Sequence, residues 1–88
     1  MKLNFYSDPG HGWLAVKRAT LTAWGIDGLI STYSYQRGQT VYLEEDCDYS
    51  TFAAAARARG IALSFVEKHT DTRSPIRSYD HYSKGLTS

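Results

Sequence analysis

Cysteine is nearly absent from this chain: Cys47 is the single thiol in 88 residues. One cysteine excludes an internal disulfide and any cysteine-built zinc site within one chain, and it points to a reducing compartment. A strong charge of either sign is also lacking. The formal net charge is +1, which argues against bulk electrostatic binding to nucleic acid. Long apolar runs are missing too. No stretch approaches the roughly 18 residues of a membrane span, and the opening MKLNFYSDPG has no apolar core of a signal peptide. The expectation is a soluble cytoplasmic protein.

What the chain does have is aromatic surface. Aromatics make up 14% of it, and Tyr supplies seven of them. Tyr packs its ring while wetting its hydroxyl, so it suits both half-buried sheets and binding surfaces. The length predicts one domain with a thin core. Charge is unevenly spread. Residues 27–48 carry Asp27, Glu44, Glu45, Asp46 and Asp48 against Arg37 alone, whereas residues 68–88 carry Lys68, Arg73, Arg77 and Lys84 against Asp71 and Asp80. The ordinary reading is a solvated surface; the sharper one is an acidic patch and a basic tail, each offered to a partner.

Alternation of apolar and polar residues predicts strands over 2–6, 13–16, 31–36, 40–44 and 61–67. Leu3 and Phe5 share a face, as do Tyr33 and Tyr35, and Val41 and Leu43 oppose Tyr42. Helices are predicted over 17–24, with Leu21 and Trp24 inward, and over 49–59, with Phe52, Ala53 and Ala56 as a narrow apolar stripe. Gly25 and Gly60 are placed to end them, each followed by Ile. Asp46 or Asp48 is expected to cap the second helix. The order ββα-ββα-β predicts an α+β fold: an antiparallel sheet of about five strands with two helices packed on one face. Apolar residues on both faces of 61–67 suggest a central strand. Residues 1–69 form the expected domain. Residues 70–88 are expected to be an irregular, partly extended tail with Ile76, Tyr79, Tyr82 and Leu86 as anchors.

The segment SDPGHGW, residues 7–13, poses the sharpest question. A phosphate loop needs a Gly-rich turn that leads into a helix, but here the turn leads toward a strand and no Walker pattern follows. His11 as a base oriented by Asp8 is the catalytic alternative; a hairpin bend is the preferred reading. The run 44–48 has four carboxylates but not the spacing of a calcium loop, and helix capping accounts for most of it. Cys47 has carboxylate neighbours that disfavour a thiolate. His11, His69 and His81 would meet at a metal only by accident of fold, so no metal or cofactor is expected.

Two resemblances bear on function. From Trp13 to Glu45, the rhythm of Val16, Leu21, Gly25 and Ile26 is similar to the strand–helix–GI–strand–turn–strand order of AbrB-type swapped-hairpin DNA-binding domains. Lys17 stands where those domains carry Pro, and their usual arginines are sparse. That likeness implies a homodimer on operator DNA. The whole chain, through FYSDPGHGWL, YSYQRG and VYLEEDCD, resembles small phage and mobile-element proteins, a group that includes anti-CRISPR inhibitors of host defence. This second likeness implies the cytoplasm of a bacterial host cell and carries over no functional residue.

Three functions follow as expectations. The first is a non-enzymatic module that docks on a protein, acting as monomer or homodimer. Its surface is Tyr33, Tyr35, Tyr42, Glu44, Glu45 and Asp46, because aromatics at the centre of a patch anchor interfaces. The second is a nucleic-acid-binding regulator using Lys17, Arg18, Arg73, Arg77 and Lys84, with the tail's cations and aromatics interleaved for single-strand contact. The third is a small enzyme using His11 and Asp8.

Overall fold

Period-two alternation builds the two hairpins and aims them at one core. In β1 (Lys2–Ser7) and β2 (Gly12–Lys17), Phe5 lies opposite Leu14. In β4 (Thr40–Glu44), Leu43 and Val41 lie opposite Leu14 and Val16. Directly opposed residues share a face, so one side of the sheet is apolar. The short β3 (Tyr35–Arg37) returns along β4. Onto the apolar face, α1 (Arg18–Ala23) lays Leu21 and α2 (Asp48–Ala58) lays Phe52 and Ala56. Trp24, just past α1, stacks on Phe52 at 4.9 Å between ring centres. Each fully buried Leu or Phe here contributes roughly 1.5–3 kcal/mol.

The computed structural model describes residues 1–84. With β5 (Ser64–His69) and β6 (Asp80–His81), its sheet has six strands in the order β5-β1-β2-β4-β3-β6, so the hairpins meet through their second strands. The two helix ends share one geometry. In both, the Gly amide bonds back three residues (Gly25 to Thr22, Gly60 to Arg57) and the Ile amide bonds back five (Ile26 to Leu21, Ile61 to Ala56). This is the Schellman arrangement. It requires a left-handed residue, and Gly25 and Gly60 supply it with φ of 70° and 68°.

The sheet is mixed rather than antiparallel. β5 (Ser64–His69) pairs parallel to β1, from Lys2 opposite Ser64 to Ser7 opposite His69. Two antiparallel steps make β4 parallel to β1; α2 then carries the chain back, and β5 must run with both. Alternation reports which face a residue takes, not strand direction. β5 is also an edge strand rather than a central one, with Phe65 41% exposed. The apolar Ile61 and Leu63 that suggested a central position precede the strand, and Leu63 packs on the core from that link. Residues 31–34, expected at the start of β3, form a turn instead.

The chain beyond β5 is built into the fold. It crosses the face opposite the helices, where a 3₁₀ turn (Pro75–Ser78) buries Ile76 and Tyr79 packs on Tyr42 at 5.3 Å. The two-residue β6 (Asp80–His81) then adds a sixth strand beside β3. Tyr82 returns to the helix-side core and donates its hydroxyl to the Asp27 carbonyl at 2.6 Å. Leu86 lies outside the described residues.

Ile76→Ala is expected to cost about 2–5 kcal/mol of unfolding free energy. Urea denaturation checks this; a loss under about 0.5 kcal/mol, the surface range, would mean that the crossing segment is not part of the cooperative fold.

Candidate functional site

The SDPGHGW bend is organised by one carboxylate. Asp8 Oδ1 accepts the amides of Gly10 and His11, both at 3.0 Å, which closes the turn between β1 and β2. Oδ2 accepts the Ser74 amide at 2.9 Å. Arg77 completes the set, with Nε on Oδ2 at 2.7 Å and Nη2 on Oδ1 at 2.8 Å. This bidentate fork is the strong form of a charge-assisted contact. The bend is therefore a hairpin turn that also receives the crossing segment. The Arg77 guanidinium, helped by the amides, holds the Asp8 carboxyl well below the usual carboxylate range although burial opposes it. Arg77 is raised in turn, chiefly by Asp8.

That clamp separates the two residues of the catalytic alternative. Asp8 binds the His11 backbone amide. The His11 ring faces elsewhere, with Nδ1 3.9 Å from Glu44 Oε2 and the ring centre 6.0 Å from that of Trp13.

Above the clamp lies a cleft of about 460 Å³ lined by His11, Trp13, Tyr33, Tyr35, Glu44, Asp46, Cys47 and Arg77. Its size is within the roughly 300–1,000 Å³ usual for ligand pockets. Alternation explains one wall. Trp13, Glu44 and Tyr35 lie on the face opposite the core because their strand neighbours Leu14 and Leu43 point inward. Trp13 is buried beneath Arg77, whose guanidinium lies 5.8 Å from its ring centre, and meets Tyr35 edge-on at 6.3 Å. Tyr35 also stacks on His81 at 4.9 Å. The Trp13 indole N–H is buried without an acceptor.

A second buried carboxylate sets the opposite wall. Asp48 was expected as a cap for α2, but the cap position is Cys47, with no side-chain bond to the helix. Asp48 instead accepts the Ser31 amide at 3.0 Å, the Ser31 hydroxyl at 2.7 Å and the Ser34 hydroxyl. Ser34 Oγ in turn accepts the Glu44 amide at 2.9 Å. One chain of bonds thus ties the Tyr33 turn to Glu44. These polar contacts also explain why residues 31–34 leave the strand. Tyr33 is left 69% exposed at the mouth.

Of the residues singled out from the sequence, the cleft gathers Tyr33, Tyr35, Glu44, Asp46, His11 and Arg77. Tyr42 lies on the same face but packs between Tyr6 and Tyr79, and burial raises its hydroxyl pKa. Glu45 lies outside the lining, its amide bonded to the Gly12 carbonyl. Among Lys17, Arg18, Arg73, Arg77 and Lys84, only Arg77 lines the cleft. Arg18 instead holds the Ser83 carbonyl at 3.1 Å and Gln36 Oε1 at 2.6 Å. His69 bonds Ser7, and His81 bonds the Thr32 carbonyl. Among the described residues, no three His, Cys, Asp or Glu side chains group for a metal ion. Sequence reasoning missed Trp13, Ser31, Ser34 and Asp48 as site builders. The only local signal was the pair of serines bracketing Tyr33.

Glu44 and Asp46 have no Lys or Arg within ion-pair distance among the described residues. Burial, followed by repulsion from Asp46, pushes the Glu44 carboxyl above its ordinary value. The cleft therefore holds one satisfied ion pair at its base and, on its side, two carboxylates without a Lys or Arg partner among the described residues.

Comparison of the chain with protein-family models, with curated proteins and with solved structures gives no match. Among the described residues no helix is long and apolar enough to cross a membrane.

Two stability effects of opposite sign are expected. Asp8 is held low when folded, so its stabilisation is present above the ordinary carboxylate value of about 4 and is lost as pH falls below it. Asp8→Asn should therefore melt well below the parent near neutral pH, with the gap narrowing in acid; a gap independent of pH would contradict this. Glu44 is held high, so stability is lost as pH rises through its folded value. Glu44→Gln should melt above the parent near neutral pH and match it below about pH 4. Thermal melts of both variants across that range give the answer.

Proposed function

We propose that this chain is a non-catalytic binding module that docks on a protein partner through the cleft above the Asp8–Arg77 clamp. The observation that carries this reading is Tyr33, 69% exposed yet held in place by the Ser31 and Ser34 bonds to Asp48. Exposed aromatics on rigid supports make good anchors, because little backbone freedom remains to be lost on binding and Tyr has only two side-chain torsions to order. Tyr35 and Trp13 extend the aromatic surface inward, and Glu44 and Asp46 add charge for orientation and specificity. Asp8, the orienter that a His11 base would need, has its oxygens occupied by two side-chain and three backbone donors. This favours recognition over catalysis. The likeness to phage and mobile-element proteins makes components of a bacterial host-defence complex, in the cytoplasm, the first partners to test.

Immobilised parent and Tyr33→Ser proteins, incubated with bacterial lysate and analysed by mass spectrometry, test the reading. The expected result is a specific protein retained by the parent, with affinity reduced about thirtyfold in the variant, the effect of losing a hot spot of about 2 kcal/mol. Equal capture by both proteins overturns the docking site. Capture of nucleic acid that nuclease abolishes favours the DNA-binding regulator instead.

A further inference from the structure

We infer that the partner of this cleft presents an arginine side chain, whose guanidinium lies against the exposed Tyr33 ring and faces Glu44 and Asp46. The inference rests on the docking reading and names the chemistry of the group received. Charge complementarity is the first argument. The lining holds one Lys or Arg, Arg77, and both Asp8 oxygens engage it at 2.7 and 2.8 Å; the His11 ring, 3.9 Å from Glu44, is the other basic group there. Glu44 and Asp46 lack any Lys or Arg partner among the described residues. The lining thus carries two carboxylates that no Lys or Arg answers, around a cleft of about 460 Å³.

The second argument is the aromatic wall. A cation placed over a Tyr or Trp face is attracted by the ring quadrupole. The chain already uses this contact repeatedly: Arg37 lies 5.0 Å from the Tyr79 ring centre, Arg59 5.1 Å from that of Trp24, and Arg77 5.8 Å from that of Trp13. The third argument separates arginine from lysine. Glu44 is mostly shielded from water, with 13% of its side chain exposed. A strongly hydrated ammonium loses more on entering such a site than a weakly hydrated, planar guanidinium, which also forks onto carboxylates and stacks on rings. The raised Glu44 carboxyl agrees, since a cation beside it would relieve the burial and repulsion that raise it.

The indole N–H signals of Trp13 and Trp24 provide the readout. Trp13 lines the cleft, whereas Trp24 stacks on Phe52 on the other side of the sheet. The probes are the blocked tripeptides acetyl-Gly-Arg-Gly-amide, its lysine analogue and its citrulline analogue, titrated into ¹⁵N-labelled protein. The arginine peptide should shift Trp13 saturably and leave Trp24 in place. Lysine should bind several-fold more weakly and citrulline about tenfold more weakly or less. Glu44→Gln/Asp46→Asn should lower arginine affinity at least about tenfold, with its fold confirmed by an unchanged Trp24 signal. Equal binding of citrulline or lysine, equal shifts of both indoles, or an unaffected double variant overturns the assignment. Partner capture that is lost in Tyr33→Ser but kept in the double variant overturns arginine while leaving the docking reading standing. Capture kept in both variants overturns both.

Discussion

The contact between Asp8 and Arg77 joins residues 69 positions apart, and the outer half of the molecule depends on it. One carboxylate closes the first hairpin turn, accepts the Ser74 amide and receives the arginine fork. It thereby positions the segment that covers Trp13 and buries Ile76. A buried charge pair is not necessarily worth more than an apolar replacement, because both ions lose hydration. Removing one partner is different, since it leaves an uncompensated charge inside. The pair therefore acts chiefly by specifying where the crossing segment goes.

A chain of 88 residues has little interior to work with. This one covers both faces of its sheet by different means. The helix side is aliphatic, with Leu14, Val16, Leu21, Val41 and Leu43 around Phe52. The other side is aromatic and half wet, with Tyr6, Trp13, Tyr35 and Tyr42 beneath the crossing segment. Tyr and Trp suit that role because they bury area while keeping a polar end. Coverage is incomplete, and the cleft is one part of the aromatic face left open.

Four acidic side chains near the cleft divide into two kinds. Asp8 and Asp48 are buried, and each binds donors from elements distant in the sequence. They hold the two walls in place. Glu44 and Asp46 face the cleft with no Lys or Arg partner among the described residues, and Glu44 has only the His11 ring at 3.9 Å. The division gives the cleft fixed walls and unmatched charge together, the combination of preorganisation and electrostatic tension found at recognition sites.

Local periodicity made much of this legible in the sequence. Both hairpins, both helices and their Gly-Ile endings are written in spacings of two to five residues, which act before any distant contact forms. The sequence also marks Tyr33, Tyr35, Glu44 and Asp46 as a docking surface, but it marks Tyr42 and Glu45 equally, and these lie outside the cleft lining. The tertiary structure alone decided the parallel seat of β5, the sixth strand and the burial of Ile76 and Tyr82. It alone showed that Asp48 serves Ser31 and Ser34 rather than its own helix, and that Asp8 belongs to Arg77 rather than to the His11 ring. Each of these depends on a partner at least 14 residues away. A carboxylate's local sequence states that it needs donors, but only the folded chain determines which donors reach it.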